Sequence, residues 1–334
     1  MKIGILTNVL CNLPLKDALS YFKSVNIEMV EIVSGGTGGA EHCDASVLLE
    51  DESKFQEFKR TIERSGLSIS GFACHCNPVH PVKSIAERFD KAITDSILLA
   101  EKLGVDTIIA FSGCPGDHEG AKYPNWCTSV WPYDFMRVLD YQWNEVLNPY
   151  WRKIVKFARM HHVKKIALEM HPGFSVYNPK TLLQLRENCG EEIGANFDPS
   201  HLIWQGIDCP TAILNLRGAI YNFHAKDTFV SPMSMGRSGF FDPYGDYTDE
   251  QRAFKFRIPG SGTDELHWKG MMTALKDIGY DGALSIEHED GSMGQDEGIR
   301  RSVEFLSRII IRDKDKGCWW KNPVKEFQMS LLPE

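Results

Sequence analysis

The chain has 334 residues, of which 43% are hydrophobic and 25% are charged, a composition ordinary for a globular protein. Its net charge of −8, without any basic run, argues against a nucleic-acid surface, and no apolar stretch approaches the roughly 20 residues of a membrane span. Nine cysteines scattered through apparent core positions predict reduced thiols in a cytoplasmic protein. The two that flank His75 lack a second ligand pair at zinc-finger spacing.

Short apolar runs rich in β-branched residues alternate along the chain with helical patterns, an order typical of parallel β/α architecture. Gly66 and Gly104 follow helical patterns where left-handed C-caps are expected. Because the first strand ends without a glycine-rich dinucleotide loop, the sequence favours a single (β/α)8 TIM barrel over a doubly wound sheet. The predicted strands are 3–7, 29–33, 68–74, 107–111, 165–170, 193–197, 219–224 and 283–287, and the clearest helices are 84–103, 143–161, 179–188 and 296–311.

Three connections are longer than the usual loop of about 4 to 6 residues, and each follows the C-terminal end of a predicted strand. That end of a barrel is where active sites lie. The loop from Gly113 to about residue 140 carries Trp126 and Trp131, which we predict to contact substrate, with packing of the loop on the barrel as the alternative. The loop from about 228 to 263 carries four further aromatic residues, namely Phe240, Phe241, Tyr244 and Tyr247.

Four neighbouring strands, the fifth to the eighth, each end in a carboxylate or an imidazole. A charge at the end of a buried strand costs several kcal/mol unless a partner or a metal compensates it. Three crowded carboxylates repel one another, and a divalent cation removes that conflict. A salt bridge at the rim explains any one such residue, whereas four in register favour a metal, with Mn²⁺, Mg²⁺ or Co²⁺ suiting oxygen ligands and one imidazole. The predicted ligands are Glu169, Asp198, His224 and Glu287.

The segments around these residues resemble the xylose isomerase-like superfamily of sugar isomerases and epimerases. They read Leu-Glu-Met-His (168–171), Asn-Phe-Asp-Pro-Ser-His (196–201), Phe-His-Ala-Lys-Asp (223–227) and Ser-Ile-Glu-His-Glu (285–289). The resemblance covers roughly residues 1–311 and implies that they form one barrel domain. In that superfamily a Glu, Asp, His, Glu set binds a divalent metal, which implies the same four ligands here. The Asp-x-x-His spacing implies that His201 faces substrate or a second metal.

Within the superfamily, the aromatic loop and the Met-His-Pro-Gly-Phe segment (170–174) resemble the large catalytic subunits of bacterial C-glycoside deglycosidases. This finer resemblance implies a small second subunit. The C-terminal tail, 312–334, is apolar and too short to form its own core, so we expect it to dock on the barrel or on a partner chain in an oligomer. Trp319, Trp320 and Phe327 are its main apolar residues.

A metal flanked by carboxylates suits enolisation beside a carbonyl, because the cation stabilises negative charge while a nearby Glu or His removes the α-proton. Reprotonation elsewhere isomerises or epimerises the sugar. A leaving group β to the carbonyl is expelled instead, which would cleave a 3-oxo-glucosyl C-glycoside. Three alternatives stay open: a ketose isomerase or 3-epimerase, an endonuclease of abasic DNA, which the acidic chain disfavours, and a non-catalytic sugar-binding module.

The histidines near the predicted ligands are the candidates for acid–base chemistry. His171 lies two positions beyond Glu169, so strand alternation places both on one side. Lys226 is a weaker base, because the neighbouring Asp227 favours its charged form. The predicted catalytic residues are therefore His171, His201, Glu169 and Glu287, and the predicted substrate contacts are His75, Trp126, Trp131 and Asp227.

Overall fold

The computed structural model describes residues 1–241 and 252–313. Its strands are Lys2–Leu6 (β1), Met29–Val33 (β2), Ser68–Cys74 (β3), Thr107–Phe111 (β4), Lys165–Glu169 (β5), Ile193–Phe197 (β6), Ile220–Ala225 (β7), Asp227–Val230 (β8), Phe254–Arg257 (β9) and Ala283–Ile286 (β10). Eight of them close into a parallel barrel in the order β1-β10-β7-β6-β5-β4-β3-β2. The predicted barrel is confirmed, with strand bounds within one residue of those expected.

Helices between the strands flank this barrel. They are Leu15–Ser24 (α1), Ala45–Glu50 (α2), Glu52–Ser65 (α3), Lys83–Leu103 (α4), Asp134–Asp140 (α5), Asn148–Met160 (α6), Pro179–Cys189 (α7), Pro199–Ile203 (α8), Cys209–Asn215 (α9), Pro232–Ser238 (α10), Glu265–Asp277 (α11) and Gln295–Ile309 (α12). A π-helical segment, Tyr141–Leu147, leads into α6, so the single helix predicted over 143–161 has two parts. Among the described residues, no helix is long and apolar enough to cross a membrane.

Burial on both faces explains why the barrel strands read as continuous apolar runs. In β6 all five residues are buried, and in β5 four of five are. The outer face of each barrel strand is covered by helices, and its inner face packs against side chains of the barrel interior. Neither face is exposed to solvent, so apolar and polar residues do not alternate along the strand. The helices are amphipathic: α4 buries Phe89, Ile93 and Ile97, which lie four positions apart on one face.

Two glycines end their helices in the left-handed conformation that the sequence predicted. Gly66 has φ 67° after α3, and Gly104 has φ 69° after α4. A residue with a Cβ is strained at such an angle, so glycine terminates each helix and turns the chain directly into the next strand. These caps lead into β3 and β4, respectively.

The long connection after β7 contains regular structure that the sequence did not predict. Strands β8 and β9 pair antiparallel beside the barrel, with Thr228 opposite Phe256 and Val230 opposite Phe254. Two aromatic residues of this loop, Tyr244 and Tyr247, lie outside the described residues. So does the part of the predicted docking tail from residue 314 onward. The docking of that tail therefore stays a prediction.

Candidate active site

The four predicted metal ligands converge at one end of the barrel. Glu169 ends β5, Asp198 follows β6, His224 lies in β7 and Glu287 follows β10, and these strands are neighbours in the barrel. One oxygen or nitrogen of each lies within 4.8 Å of those of the others. Two ligands on opposite sides of a divalent ion, at about 2.1 to 2.4 Å from it, lie about 4 to 5 Å apart. The cluster therefore fits one divalent cation.

The ring of His224 is oriented by carboxylates on both sides. Its Nδ1 lies 3.0 Å from Glu287 Oε2, and its Nε2 lies 3.0 Å from Glu31 Oε1. Both carboxylates accept hydrogen bonds from the ring, Glu31 from Nε2–H and Glu287 from Nδ1–H, and the Glu31 contact would keep the proton on Nε2 when Nδ1 gives up its own to bind a cation. Burial alone would lower the pKa of His224, but Glu31 and Glu287 outweigh it and hold this pKa well above its usual value. Cation binding would therefore displace a proton.

Glu31 is a site residue that the sequence analysis missed. It is fully buried in β2 and belongs to a chain of hydrogen bonds that crosses the barrel interior. Asn222 donates to Glu31 Oε2 at 2.9 Å and to Asn196 Oδ1 at 3.0 Å, and Asn196 donates to Glu169 Oε2 at 3.0 Å. This chain ties Glu31 to a candidate ligand and fixes the orientation of both carboxylates beneath the cluster.

The Glu31→Gln variant should bind a divalent cation about 10- to 100-fold more weakly, the usual loss for a residue that supports a ligand. The amide cannot accept the Nε2–H proton as strongly, so His224 no longer presents its Nδ1 lone pair in a fixed tautomer. Competition with a fluorescent chelator measures the change. Glu28→Gln is the matched control, because Glu28 precedes the same strand and pairs with Arg312 at the surface. Equal affinity in both variants would contradict the assignment.

Two histidines contact the two oxygens of Glu169. His201 Nε2 lies 3.1 Å from Oε1, and His75 Nε2 lies 3.1 Å from Oε2. Burial opposes ionisation of Glu169, but the contacts from His201 and His75 outweigh it and hold its pKa well below the usual value. Burial also lowers the pKa of His201 to about 3. Glu169 is thus a carboxylate, and His201 is a neutral imidazole at neutral pH.

His171 lies at the boundary between the cluster and open space. Its ring centroid is 4.0 Å from that of His201, and its Nδ1 lies 2.6 Å from the Pro172 carbonyl oxygen. A carbonyl only accepts, so Nδ1 carries the proton and the lone pair is on Nε2. Burial lowers the pKa of His171, which keeps the ring neutral. The predicted acid–base pair is therefore adjacent to the candidate metal ligands.

Asp198 links the cluster to α8 and to a lysine. Its Oδ1 accepts a hydrogen bond from Ser200 N at 2.8 Å, and its Oδ2 lies 3.0 Å from Lys226 Nζ. Burial raises the pKa of Asp198 to about 7, although Lys226 opposes the shift. Because Asp198 caps the start of α8, His201 three positions later returns to the same side of the site.

Asp227, a predicted substrate contact, is directed away from the cluster and holds the following loop. Its Oδ2 accepts hydrogen bonds from the backbone N–H groups of Gly260 (2.9 Å), Gly262 (3.0 Å) and Thr263 (3.0 Å), and from Trp268 Nε1 (3.0 Å). The side chain is fully buried. Its donors are thus supplied by the protein itself, and the structure gives it an anchoring position in place of the expected substrate contact.

Asp227→Asn should lower the free energy of unfolding by about 2 to 4 kcal/mol, since hydrogen bonds to a buried charge contribute about 1.5 to 3 kcal/mol each. Urea denaturation followed by fluorescence measures the loss. Asp264→Asn is the control, because Asp264 caps α11 and asparagine caps a helix about as well as aspartate. A loss no larger than that of the control would show that the loop does not depend on the Asp227 charge.

A cavity of about 490 Å³ opens beside the two histidines, on the face where the long loops meet. We call it the aromatic cavity. It is lined by Trp126, His171, Pro172, Gly173, His201, Trp204, Phe240, Phe241, Arg252, Phe254 and Phe256. Trp126 lines this cavity, whereas Trp131 is 71% exposed and is not among the lining residues, and the substrate contact of each stays a prediction. Aromatic walls suit the apolar face of a sugar ring or an aryl group.

Comparisons with known proteins agree with this architecture. The family described as the xylose isomerase-like TIM barrel matches residues 21–309. The uncharacterized protein YfiH of Bacillus subtilis (strain 168) is 36% identical over 313 residues, which cover 93% of this chain and 99% of that protein.

Two solved structures share the fold at low sequence identity. The 3-keto-D-glucoside 4-epimerase YcjR of E. coli has a TM-score of 0.63 and 14% identity, with 92% of this chain and 99% of that chain covered. The probable 3-DHS dehydratase AsbF of Bacillus anthracis has a TM-score of 0.63 and 16% identity, with the same coverage of 92% and 99%. At these identities the likeness concerns the fold, whereas the site is described by its own geometry.

Proposed function

The chain belongs to the xylose isomerase-like TIM-barrel family, and from this premise we propose that it is a divalent-metal-dependent enzyme that enolises a keto-sugar. The observation that carries the proposal is the buried set of Glu169, Asp198, His224 and Glu287, with ligand atoms within 4.8 Å of one another. A non-catalytic sugar-binding module has no need of four converging ionisable groups. Mn²⁺ is the first ion to test, followed by Mg²⁺ and Co²⁺.

We propose a 3-oxo-glucosyl C-glycoside as the substrate, cleaved by β-elimination of its aglycone. The aromatic cavity supports this choice, because it adjoins His171 and His201 and offers room beyond a single sugar ring. YcjR, named as an epimerase of a 3-keto-D-glucoside, and AsbF, named as a probable dehydratase, are consistent with keto-sugar and elimination chemistry on this fold. A small second subunit, with the tail 312–334 as its docking segment, belongs to the same proposal.

A divalent cation in the cluster would polarise the substrate carbonyl and lower the free energy of the enolate. His171 presents the Nε2 lone pair to the C2 proton, because its Nδ1–H is engaged by the Pro172 carbonyl. The C2–H electron pair forms the enolate with C3. When the C3 carbonyl forms again, a C1–C2 double bond forms and the C1–aryl bond breaks. The electron pair of that bond stays on the aryl carbon, which takes up the proton that His171 removed from C2. His201 orients the sugar where the cluster meets the aromatic cavity.

A ketose isomerase or 3-epimerase would use the same groups, so only the reaction products distinguish these enzymes from a C-glycoside-cleaving enzyme. Purified protein with Mn²⁺ is incubated with a 3-oxo-glucosyl arene and with free ketoses, and the products are identified by NMR and chromatography. Release of the arene with formation of the unsaturated sugar is the expected result. Isomerised or epimerised ketose without arene release would contradict the C-glycoside proposal. Sugar binding that survives a chelator, without turnover, would favour a binding module.

A further inference from the structure

A second cavity lies next to the aromatic cavity, and the function proposed above does not use it. It has a volume of about 440 Å³ and is lined by the segment 113–140, by the π-helical segment Tyr141–Leu147 and by the first half of α7 with the residues that lead into it. We call it the loop pocket. Trp126 lines both cavities. Its ring packs edge-on against Tyr177 in the loop pocket, with centroids 5.4 Å apart, and its centroid lies 6.5 Å from that of Phe241 in the aromatic cavity. The two cavities therefore share one indole as a wall.

Hydrogen bonds hold the walls of the loop pocket in place without a ligand. Gln142, in the π-helical segment, is buried, and its Nε2 lies 2.7 Å from the carbonyl oxygen of Asn125. The same Nε2 lies 3.1 Å from the carbonyl oxygen of Gly116 and 3.3 Å from that of Pro115. One side-chain amide thus fastens two parts of the loop to the helix behind it. Since π-helical segments are rare and occur often at functional sites, this one draws attention to the pocket that it lines.

Polar side chains of the loop pocket are available to a ligand. Within the parts of the chain that the structure describes, the side chains of Asn125, Thr128 and Gln184 make no hydrogen bond. The charged residues that line the pocket are Asp140 and Lys180, one of each sign. A phosphate or carboxylate group would therefore gain no net attraction there. The pocket offers hydrogen bonds to a neutral ligand.

Aromatic rings accompany these amides and hydroxyls. Trp126, Trp143 and Tyr177 all line the loop pocket. A sugar ring presents apolar C–H faces, which pack on aromatic rings, and hydroxyl groups at its edge, which donate to and accept from amides and hydroxyls. A purely aryl ligand would bury the amides without partners, which costs affinity. The volume of about 440 Å³ lies within the range of about 300 to 1,000 Å³ of small-molecule sites. A neutral, polyhydroxylated group fits this lining best.

We propose that the loop pocket is a second carbohydrate subsite, which binds a further neutral sugar unit carried by the aglycone of the substrate. The proposal rests on the function proposed above, in which the 3-oxo-glucosyl ring lies at the carboxylate cluster and the aryl group lies in the aromatic cavity. A sugar attached to that aryl group reaches the loop pocket across Trp126, the wall that both cavities share. The substrate class is thus a C-glucosyl arene that carries a second glycosyl group. No bond is made or broken in the subsite, so it contributes affinity and selects the substrate.

Binding of two unreactive ligands tests this subsite. One is a C-glucosyl arene, and the other is the same arene with a second, O-linked glucosyl group. Isothermal titration calorimetry of the wild-type protein with Mn²⁺ should show about tenfold tighter binding of the second ligand, the effect of one or two hydrogen bonds. Gln184→Met removes a lining amide at the same side-chain length and should abolish most of this gain. Its affinity for the first ligand should match wild type.

Gln56→Met is the matched control, since Gln56 lies on α3, bonds to Glu52 and lines neither cavity. It should keep the full gain. If Gln184→Met does not fold, Asn125→Ala carries the same expectation. Equal affinity of the wild-type protein for the two ligands, or a gain that both Gln184→Met and Asn125→Ala retain, would overturn the subsite. Binding needs no turnover, so the two proposals fail separately. A gain that depends on Gln184, in a protein that releases no arene from the 3-oxo form of either ligand, would refute the proposed function and leave the loop pocket as a sugar-binding subsite.

Discussion

Glu287→Gln should lower the rate of keto-sugar turnover by roughly 10³-fold or more. The metal supplies several kcal/mol of charge stabilisation, and each 1.4 kcal/mol is about a tenfold change in rate. Glu287 contacts both His224 and Lys226, so its removal disturbs the ligand set and leaves the ammonium with one carboxylate fewer. Mn²⁺ affinity should fall in parallel. Steady-state kinetics at saturating Mn²⁺ and a chelator titration measure the two losses.

The control for this variant is Glu304→Gln, on the exposed face of α12. It removes the same charge from the chain far from the cluster and should change neither quantity. Circular dichroism confirms that both variants are folded. Turnover by Glu287→Gln at a rate close to that of the control would remove the cluster from the reaction.

His171→Asn should lower turnover by about 10²- to 10⁴-fold, the usual contribution of a general base. Asparagine keeps a polar group near the Pro172 carbonyl but has no lone pair on a basic nitrogen. Because His171 is outside the predicted ligand set, Mn²⁺ affinity should stay near that of wild type. This separation of rate from metal affinity distinguishes a base from a ligand. Loss of Mn²⁺ affinity in step with the rate would identify His171 as a ligand instead.

The same histidines predict an unusual pH profile. A base acts in its unprotonated form, so rate is lost as the pH falls through its pKa. Burial lowers the pKa of His171 below its usual value and that of His201 to about 3. Both rings therefore have their midpoint of protonation below the pH of about 6.5 at which an ordinary histidine has it. At saturating Mn²⁺ the kcat profile should therefore show no histidine step there, and a step near 6.5 that is lost in His171→Asn would contradict the assignment.

The sequence predicted the barrel and the four candidate ligands because both depend on local patterns. Each apolar run ends in a polar residue, and parallel strands bring their carboxyl ends to one rim. Glu169 and Glu287 are therefore placed together without any knowledge of loops or helices. The glycine caps at Gly66 and Gly104 are also local, since a left-handed residue requires only its own backbone angles.

Residues whose partners are distant in sequence were not predictable in this way. Glu31 stands as a lone charge in an apolar strand, and only the closed barrel brings it to His224, 193 positions away. Asp227 lies just after an apolar run in the sequence, as the candidate ligands do. Its carboxylate, however, accepts a hydrogen bond from the backbone of the loop at Gly260. The charge of Lys226 was expected to depend on Asp227, whereas the carboxylates that it contacts are those of Asp198, Glu287 and Glu289.

The most direct measurement is Mn²⁺ binding by the chelator-stripped protein, combined with pulsed electron paramagnetic resonance of the bound ion. One Mn²⁺ per chain should bind, with nitrogen coupling from a single imidazole, that of His224. The coupling should disappear in His224→Asn and persist in His171→Asn. Absence of a tight Mn²⁺, Mg²⁺ or Co²⁺ site in the wild-type protein, or a coupling that survives the loss of His224, would contradict the assignment of these four strand ends as a metal centre.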